Sequence, residues 1–526
     1  MVNHGPSKGC WTCRKRRIKC DEARPSCRQC SRLGRECGGY GPDTRKRSIR
    51  FKSQDSLSRS SSSNLRSGIG TDIVPETIIV SDESTAICFF LTSIVGLGRG
   101  FKSTQGFLEP LLAVVGNEHP NSVLSTVVSA VSTRIWGFWK NPLRSHQSPH
   151  SPFTRALVHL QAALHDPVER SKESTVLSVI LMHFYEGVAA RSMHRPPMLA
   201  HRDGARALLN QYADSGPQSE CREFLRNYLR HCDVSAYLES QALDTSDLDV
   251  WFDQSWDENT PVNPNTVLDL IGLSLAHLQS RLSDIKCRVK QNPYAYDSGI
   301  ETWWQDLESV EAQLSEWTLS VPTEWQPYTR TMQNGFSYLG TCDLYPTVQI
   351  ATIWNVWRIC RLTALRLRLS LLSCASPSAL RRFTSSGTKE QILSDPASGR
   401  EVVDSICRSI PFYLGSRRGH GGLSDLTDLN IKLPSYHDHD LNSDIHARYL
   451  QGEDAMSVVD YRRHILVQGP SHAQLHLTSL IKVLSSEGGD AICTANQVIW
   501  IREQYLRVCK LTNAHFDLDG GNVAGE

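Results

Sequence analysis

The 526-residue chain contains no run of ~18 uninterrupted apolar residues, the length a membrane-crossing helix needs. The nearest approach, "TVQIATIWNVWRICRLTALRLRLSLL", is broken by Arg358, Arg361, Arg366 and Arg368, so no membrane partner is expected. The opening "MVNHGPSKGC" lacks the apolar stretch of a secretory leader. The expected setting is therefore intracellular and reducing, where clustered cysteines point to metal and not to disulfides. Enzyme signatures are absent as well. There is no G-x-S-x-G elbow and no H-E-x-x-H helix. "GLGRGFKST" (96–104) fails as a phosphate loop, because Phe101 stands where a glycine would let backbone amides wrap the phosphate. "SYHDHDLNSDIH" gathers His437, Asp438, His439, Asp440 and His446, but adjacent side chains diverge, and a solvated polar loop is expected. Strand-like alternation is scarce, and no sustained heptad occurs before Glu76.

The formal net charge, +1, is close to zero. It conceals an asymmetry: residues 1–52 carry 15 Lys/Arg against 4 Asp/Glu, and the remainder carries 41 against 51. A basic head precedes an acidic body, which points to a polyanion as the partner of the head.

Six of the cysteines fall within 28 residues: Cys10, Cys13, Cys20, Cys27, Cys30 and Cys37. They form a repeat, C-x2-C-x6-C, in which a shift of 17 positions superimposes the halves. Zinc prefers four ligands in a tetrahedron, and each half offers three. Six thiolates fill two such sites only when two sulfurs bridge. Repeat symmetry requires the bridging pair to occupy equivalent positions, and Cys10 and Cys27 are the natural choice, giving one zinc with Cys10, Cys13, Cys20 and Cys27 and another with Cys10, Cys27, Cys30 and Cys37. The cofactor expected is two zinc ions. A disulfide knot or a metallothionein-like sulfur sink fits a reducing setting and a single compact repeat less well.

Between Cys13 and Cys20 stand Arg14, Lys15, Arg16, Arg17, Ile18 and Lys19. The six are expected to form a short helix clamped by metal at both ends and suited to the major groove. Trp11, Ile18 and Leu33 are expected to supply a small apolar packing around the metal.

These cysteines, the run "CRKRRIKC" and Pro25 in "DEARPSC" resemble the fungal zinc binuclear-cluster family over roughly residues 9 to 40. The resemblance implies recognition of a CGG triplet in double-stranded DNA by the position matching Arg17, with Arg16 beside it. Arginine suits this because its fork pairs with guanine O6 and N7. Arg14, Lys15 and Lys19 then meet phosphates, as do Arg28 and Arg32. Arg45, Lys46, Arg47, Arg50 and Lys52 form a second basic cluster, read as a nuclear import signal or a phosphate track. The Ser-rich run 53–67 reads as disordered.

Beyond about Ile73 the apolar residues recur at helical period. Examples are "NSVLSTVVSAVSTRIWGFW", "SPFTRALVHLQAALHD", "ESTVLSVILMHFYEGVAA", "AHRDGARALLNQY", "NTVLDLIGLSLAHLQSRLSDIK", residues 348–372 and "ANQVIWIREQYLRVCK". Pro152, Pro264 and Pro346 sit at or just before the helix starts. "HRDGARALLNQY", with His201, Gly204, Ala205, Leu208 and Leu209, and the terminal pair around "HAQLHLTSLIKVL" and "QVIWIREQYLRV" resemble a fungal-specific transcription factor domain. "LDTSDLDVWFDQSWDENTP" mixes acidic and aromatic residues without Lys or Arg, and reads as an acidic surface loop or an activation segment. The other ten cysteines are expected to be mostly buried apolar fillers.

The organisation expected is a disordered N-terminus (1–8), a zinc-cluster DNA-binding module of two short helices (9–40), a basic then Ser-rich linker (41–72) and a large all-α regulatory domain (73–526). The function expected is that of a nuclear transcription regulator and not an enzyme. Its partners would be DNA and the transcription machinery or a co-regulator, and homodimerisation is left open. The rival reading is a helical ligand-sensing or enzymatic body that carries a DNA-binding head.

Overall fold

A computed structural model describes residues 9–23, 25–37, 81–98, 108–141, 150–193, 198–211, 219–239, 263–291, 298–332, 336–374, 386–419, 421–437 and 456–512. The chain divides into two compact units, Met1–Ile78 and Ile79–Glu526. The Arg45–Lys52 cluster, the Ser-rich run, the acidic–aromatic segment and most of the histidine–aspartate loop lie outside the described residues.

The smaller unit holds α1 (Trp11–Lys15) and α2 (Arg28–Arg32). The larger begins with α3 (Asp82–Phe90), which runs into a π-helical turn, Leu91–Val95. There follow α4 (Leu111–Asn117), α5 (Val123–Lys140), α6 (His150–His165), α7 (Glu173–Met193), α8 (Ala200–Gln211) and α9 (Glu220–Glu239). Next come α10 (Pro264–Gln291), α11 (Ser298–Ser320) and a hairpin of β1 (Tyr328–Thr331) and β2 (Thr341–Leu344). The unit closes with α12 (Val348–Cys374), α13 (Ser386–Leu414), α14 (Val458–Ser485) and α15 (Ala495–Thr512). Every periodic segment singled out in the sequence is helical. The antiparallel hairpin, pairing Tyr328 with Leu344 and Thr331 with Thr341, is an addition that alternation did not disclose.

Local chemistry explains the helix starts. Pro264 opens α10, and the Asn263 side chain accepts the N–H groups of Asn265 and Thr266 at 2.9 and 3.0 Å. Ser81, Ser122 and Ser457 cap α3, α5 and α14. Thr494 and Gln497 form a reciprocal cap at the start of α15.

Two apolar clusters share α10. Leu268, Ile271, Leu275, Leu278, Leu282 and Ile285 face the cluster built with α11 to α15. Leu273 and Ala276 face the cluster built with α3 to α9. Gly272 lies between them, where a Cβ would come within 2.6 Å of Val234 Cγ1, so α9 and α10 approach as closely as they do only because no side chain intervenes.

The arginine-bearing α12 is a central helix. Arg358 donates to Tyr345 Oη and Asn355 Oδ1, each at 2.8 Å, and faces Asp343. Arg361 and Arg368 face Glu311, and Arg366 donates to Gln279. Among the described residues no helix is long and apolar enough to cross a membrane.

In α14, Pro470 has no N–H to give the carbonyl of Leu466, four residues earlier. The buried guanidinium of Arg417 takes that carbonyl at 2.9 Å and also holds Asp425 at 2.8 Å. Two residues before the proline, Gln468 Nε2 donates to Ser93, Ile94 and Leu97 oxygens, satisfying the end of the π-helical turn.

Candidate zinc and nucleic-acid site

Each half of the cysteine repeat builds the same knot. Cys10 Sγ accepts the N–H of Cys13, and Cys27 Sγ accepts that of Cys30, both at 3.4 Å. Cys10 N–H reaches Cys20 Sγ at 3.4 Å, and Cys27 N–H reaches Cys37 Sγ at 3.5 Å. The C-x2-C pairs thus lie at helix starts, with their sulfurs turned inward. Cys10, Cys13, Cys27 and Cys30 are buried, while Cys20 and Cys37 are half-buried.

Two groups of sulfurs emerge, Cys10–Cys13–Cys20–Cys27 and Cys10–Cys27–Cys30–Cys37, each with all members within 4.8 Å of one another. Cys10 and Cys27 belong to both and stand 3.6 Å apart. A tetrahedral site with Zn–S of ~2.3 Å places its sulfurs about 3.8 Å apart. The donor set and spacing therefore fit zinc. All six cysteines are free thiols. Burial pushes the Cys10 thiol up to about 12 and raises Cys13 and Cys27 also. A divalent cation is the group that makes such buried sulfurs thiolates.

The cation run departs from the expected helix. Instead of spanning 14–19, α1 covers Trp11–Lys15 and then stops. Arg17 has φ 55°, and Ile18 N–H turns back to Cys13 O at 3.1 Å. This is a Schellman ending, which hands the last helical carbonyls to the two residues beyond the cap. Lys15, Arg16, Arg17 and Lys19 are all exposed, three of them past the helix end. The side chain of Arg14 lies outside the described set. Arg28, Arg32 and Arg35 are exposed in the second half.

The expected apolar packing is also corrected. Ile18 and Leu33 are 38% and 49% exposed, and the side chain of Trp11 is outside the described set. The cysteines themselves form the buried centre of this unit. Sequence reading missed Asp21, whose two carboxylate oxygens accept the N–H of Arg28 at 3.0 and 3.2 Å. It ties the loop after the first half to the first residue of α2.

Residues 8–47 match the fungal Zn(2)-Cys(6) binuclear cluster domain. Residues 111–386, more than half of the chain, match the fungal specific transcription factor domain. The chain belongs to the fungal zinc-cluster transcription factors. The cluster of this family takes two zinc ions. Curated relatives include the aspercryptin biosynthesis cluster-specific transcription regulator atnN of Emericella nidulans, 64% identical over 36 residues, 7% of this chain and 6% of that protein. The pestheic acid cluster transcriptional regulator 3 of Pestalotiopsis fici is 62% identical over 43 residues, 8% of each chain. Transcriptional regulatory protein moc3 of Schizosaccharomyces pombe is 62% identical over 32 residues, 6% of each. The match thus spans less than a tenth of each of these relatives' own length. No solved structure matches.

Within the family-matched body, α8 carries "HRDGARALLNQ". Ala205 and Leu209 are buried, and Gly204 lies where a Cβ would just touch Val179. His201 faces Glu186 at 3.2 Å, and Arg202 and Arg206 both reach Asp233. Of the described body cysteines, Cys342, Cys360, Cys407 and Cys509 are buried fillers, whereas Cys88 and Cys287 are exposed.

Proposed function

We propose that this zinc-cluster protein is a nuclear, sequence-specific regulator of RNA polymerase II transcription that reads CGG-like triplets in the major groove of double-stranded DNA. The observation that carries the reading is a six-sulfur centre, four sulfurs buried and two half-buried, with exposed Lys15, Arg16, Arg17 and Lys19 set between its second and third cysteines. One zinc is held by Cys10, Cys13, Cys20 and Cys27 and the other by Cys10, Cys27, Cys30 and Cys37, with Cys10 and Cys27 bridging. The shared membership of those two residues in both sulfur groups supports this division. Arg17 and Arg16 pair with guanine edges, and the flanking cations neutralise phosphates. Six thiolates and two Zn(2+) leave a net charge of about −2 at the metal centre, which the surrounding cations also offset. Residues 9–40 act as the reading head, 41–72 as the linker with the import signal at Arg45–Lys52, and 73–526 as the regulatory body that meets a co-regulator. The body acts as a regulator and not as an enzyme, a reading supported by the family to which the chain belongs.

Competition binding on duplexes with CGG and with scrambled triplets tests the reading. Arg17→Ala should relax base preference, a loss of ~1–3 kcal/mol, while Lys15→Ala should weaken all duplexes alike. Chelating zinc should abolish the footprint. A footprint that survives chelation, or two variants that behave identically, would overturn the assignment.

A further inference from the structure

A cleft of about 600 Å³ opens in the larger unit between the hairpin, α13 and the first turns of α15. Its floor is polar and already organised. Asp404 Oδ1 accepts the Tyr338 hydroxyl at 2.5 Å and Gln497 Nε2 at 2.6 Å. Gln497 is itself fixed by Thr494 and by the carbonyl of Arg400. With one oxygen pinned this way, Asp404 Oδ2 receives no donor among the described residues. One turn earlier on α13, the guanidinium of Arg400 has no hydrogen-bond or ion-pair partner among the described residues, and the carboxylate of Glu503 lines the same cleft. Arginine four residues before aspartate is the weaker order for a helical pair, and the hydrogen bonds on Oδ1 hold the carboxylate toward Tyr338 and Gln497.

The walls are apolar and aromatic. Tyr338 and Trp500 meet edge to face with centroids 4.8 Å apart. Leu339 stands 81% exposed on left-handed backbone (φ 48°), and Ile499 is 57% exposed at the opposite lip. Leu339 and Gly340, both left-handed (φ 48° and 77°), are the two central residues of the tight turn that pairs Tyr338 with Thr341, and this turn holds the Leu339 side chain out to solvent beside the cleft. Convergent polar groups on an organised floor beneath apolar lips are the usual make-up of a small-ligand site.

We propose that this cleft binds a free amino acid with a branched or aromatic side chain. Arg400 takes the α-carboxylate as a forked pair, Asp404 Oδ2 takes the α-ammonium, and the side chain lies on Trp500 between Leu339 and Ile499. Arg400 and the free Oδ2 of Asp404 offer opposite charges one helical turn apart, which suits a zwitterion, and Glu503 adds a second carboxylate on which the α-ammonium can draw. The site lies wholly in the larger unit and does not rest on the DNA-reading assignment.

Calorimetric titration of the full zinc-loaded chain with leucine, phenylalanine, phenylalanine amide and 3-phenylpropionate tests the proposal. Leucine or phenylalanine should bind, and removing either charged end of phenylalanine should weaken binding roughly 10-fold or more, as expected for a charge-assisted bond. Arg400→Gln should reproduce the effect of the amide, and Leu339→Ser should weaken binding of all four probes. Because Asp404 also holds Tyr338, Arg400→Gln is the deciding variant, and its melting temperature should equal that of the parent. Absence of binding by both amino acids at 10 mM would overturn the proposal. So would equal binding of phenylalanine and its amide, or of phenylalanine and 3-phenylpropionate, or unchanged affinity in Arg400→Gln.

Discussion

Arg17 and Gly34 occupy the same place in the two halves of the cysteine repeat and share one left-handed backbone, φ 55° and 59°. Each follows a one-turn helix, and each precedes a residue whose N–H returns to the second cysteine of its half, Ile18 to Cys13 and Arg35 to Cys30. Glycine adopts this conformation without penalty, whereas an L-residue costs about 1–2 kcal/mol. The first half carries that cost at Arg17, the residue proposed to read guanine.

Arg17→Gly is therefore expected to leave the zinc-loaded module as stable or slightly more stable, within about 1 kcal/mol, while base preference falls. Gly34→Arg should cost about 1 kcal/mol and still fold, since nothing lies within 4 Å of the added Cβ. Thermal melts paired with competition binding check both. A large loss of stability in Arg17→Gly would show that the side chain holds the frame and does not merely project from it.

Asp21 bridges the halves through the Arg28 N–H. Asp21→Ala should destabilise the zinc-loaded module by about 0.5–2 kcal/mol, the range for a lost helix-start acceptor, and Asp21→Asn should recover most of it. Zinc-competition titration against a chelator gives the measurement. Equal zinc retention in all three proteins would remove the bridging role.

The Leu466 carbonyl depends on Arg417 because of Pro470. Arg417→Met should cost about 1–3 kcal/mol as that carbonyl and Asp425 lose their partner. Pro470→Ala restores an N–H to the helix, so the Arg417→Met penalty should shrink on that background. A double-mutant cycle by denaturant unfolding should return an interaction energy of about 1 kcal/mol or more, and strict additivity would refute the coupling.

Two histidines, His476 buried and His231 partly exposed, should tilt stability against pH in opposite senses. Burial, with the nearby His472 and Arg358 charges, holds His476 well below its usual range. The unfolded chain then binds the proton first, so stability is lost as pH falls through the ordinary histidine value of ~6.5, by up to about 1.4 kcal/mol per pH unit. His476→Gln should flatten that acid slope. Burial opposes a charge on His231 as well, but Asp269 at 2.7 Å prevails and raises it. Its contribution is complete below ~6.5 and fades as pH rises through the folded value, so His231→Gln should cost more at pH 5.5 than at pH 9. Urea titrations at several pH values decide both, and parallel profiles for parent and variants would reject them.

How much of this was legible follows from the kind of signal each feature leaves. The sulfur frame was readable because the 17-residue repeat carries its own symmetry. The amphipathic helices were readable by period, from Val123–Lys140 to Ala495–Thr512. Ser386–Leu414 was not singled out, since Pro396 and Pro411 within it look like breakers. The short first helix was misplaced because the cations were read as a helical run. The cue to its end lies in the other half, where glycine, the common helix terminator, stands at 34. Asp21 and Arg417 act on backbone groups distant in sequence, and no local pattern announces such partners. The cleft around Asp404 draws on residues 338 to 503, so only the folded chain brings them together.

Gln468 and Ser93 are 375 residues apart in sequence, yet one amide side chain finishes the turn that ends at Val95. On a ribosome moving at about 5–20 residues per second, roughly 20–75 s separates synthesis of the two. Throughout that interval the turn must leave its carbonyls to water or to a chaperone. The body is thus completed from its two ends at once, and its earliest-made helix is among the last to be finished.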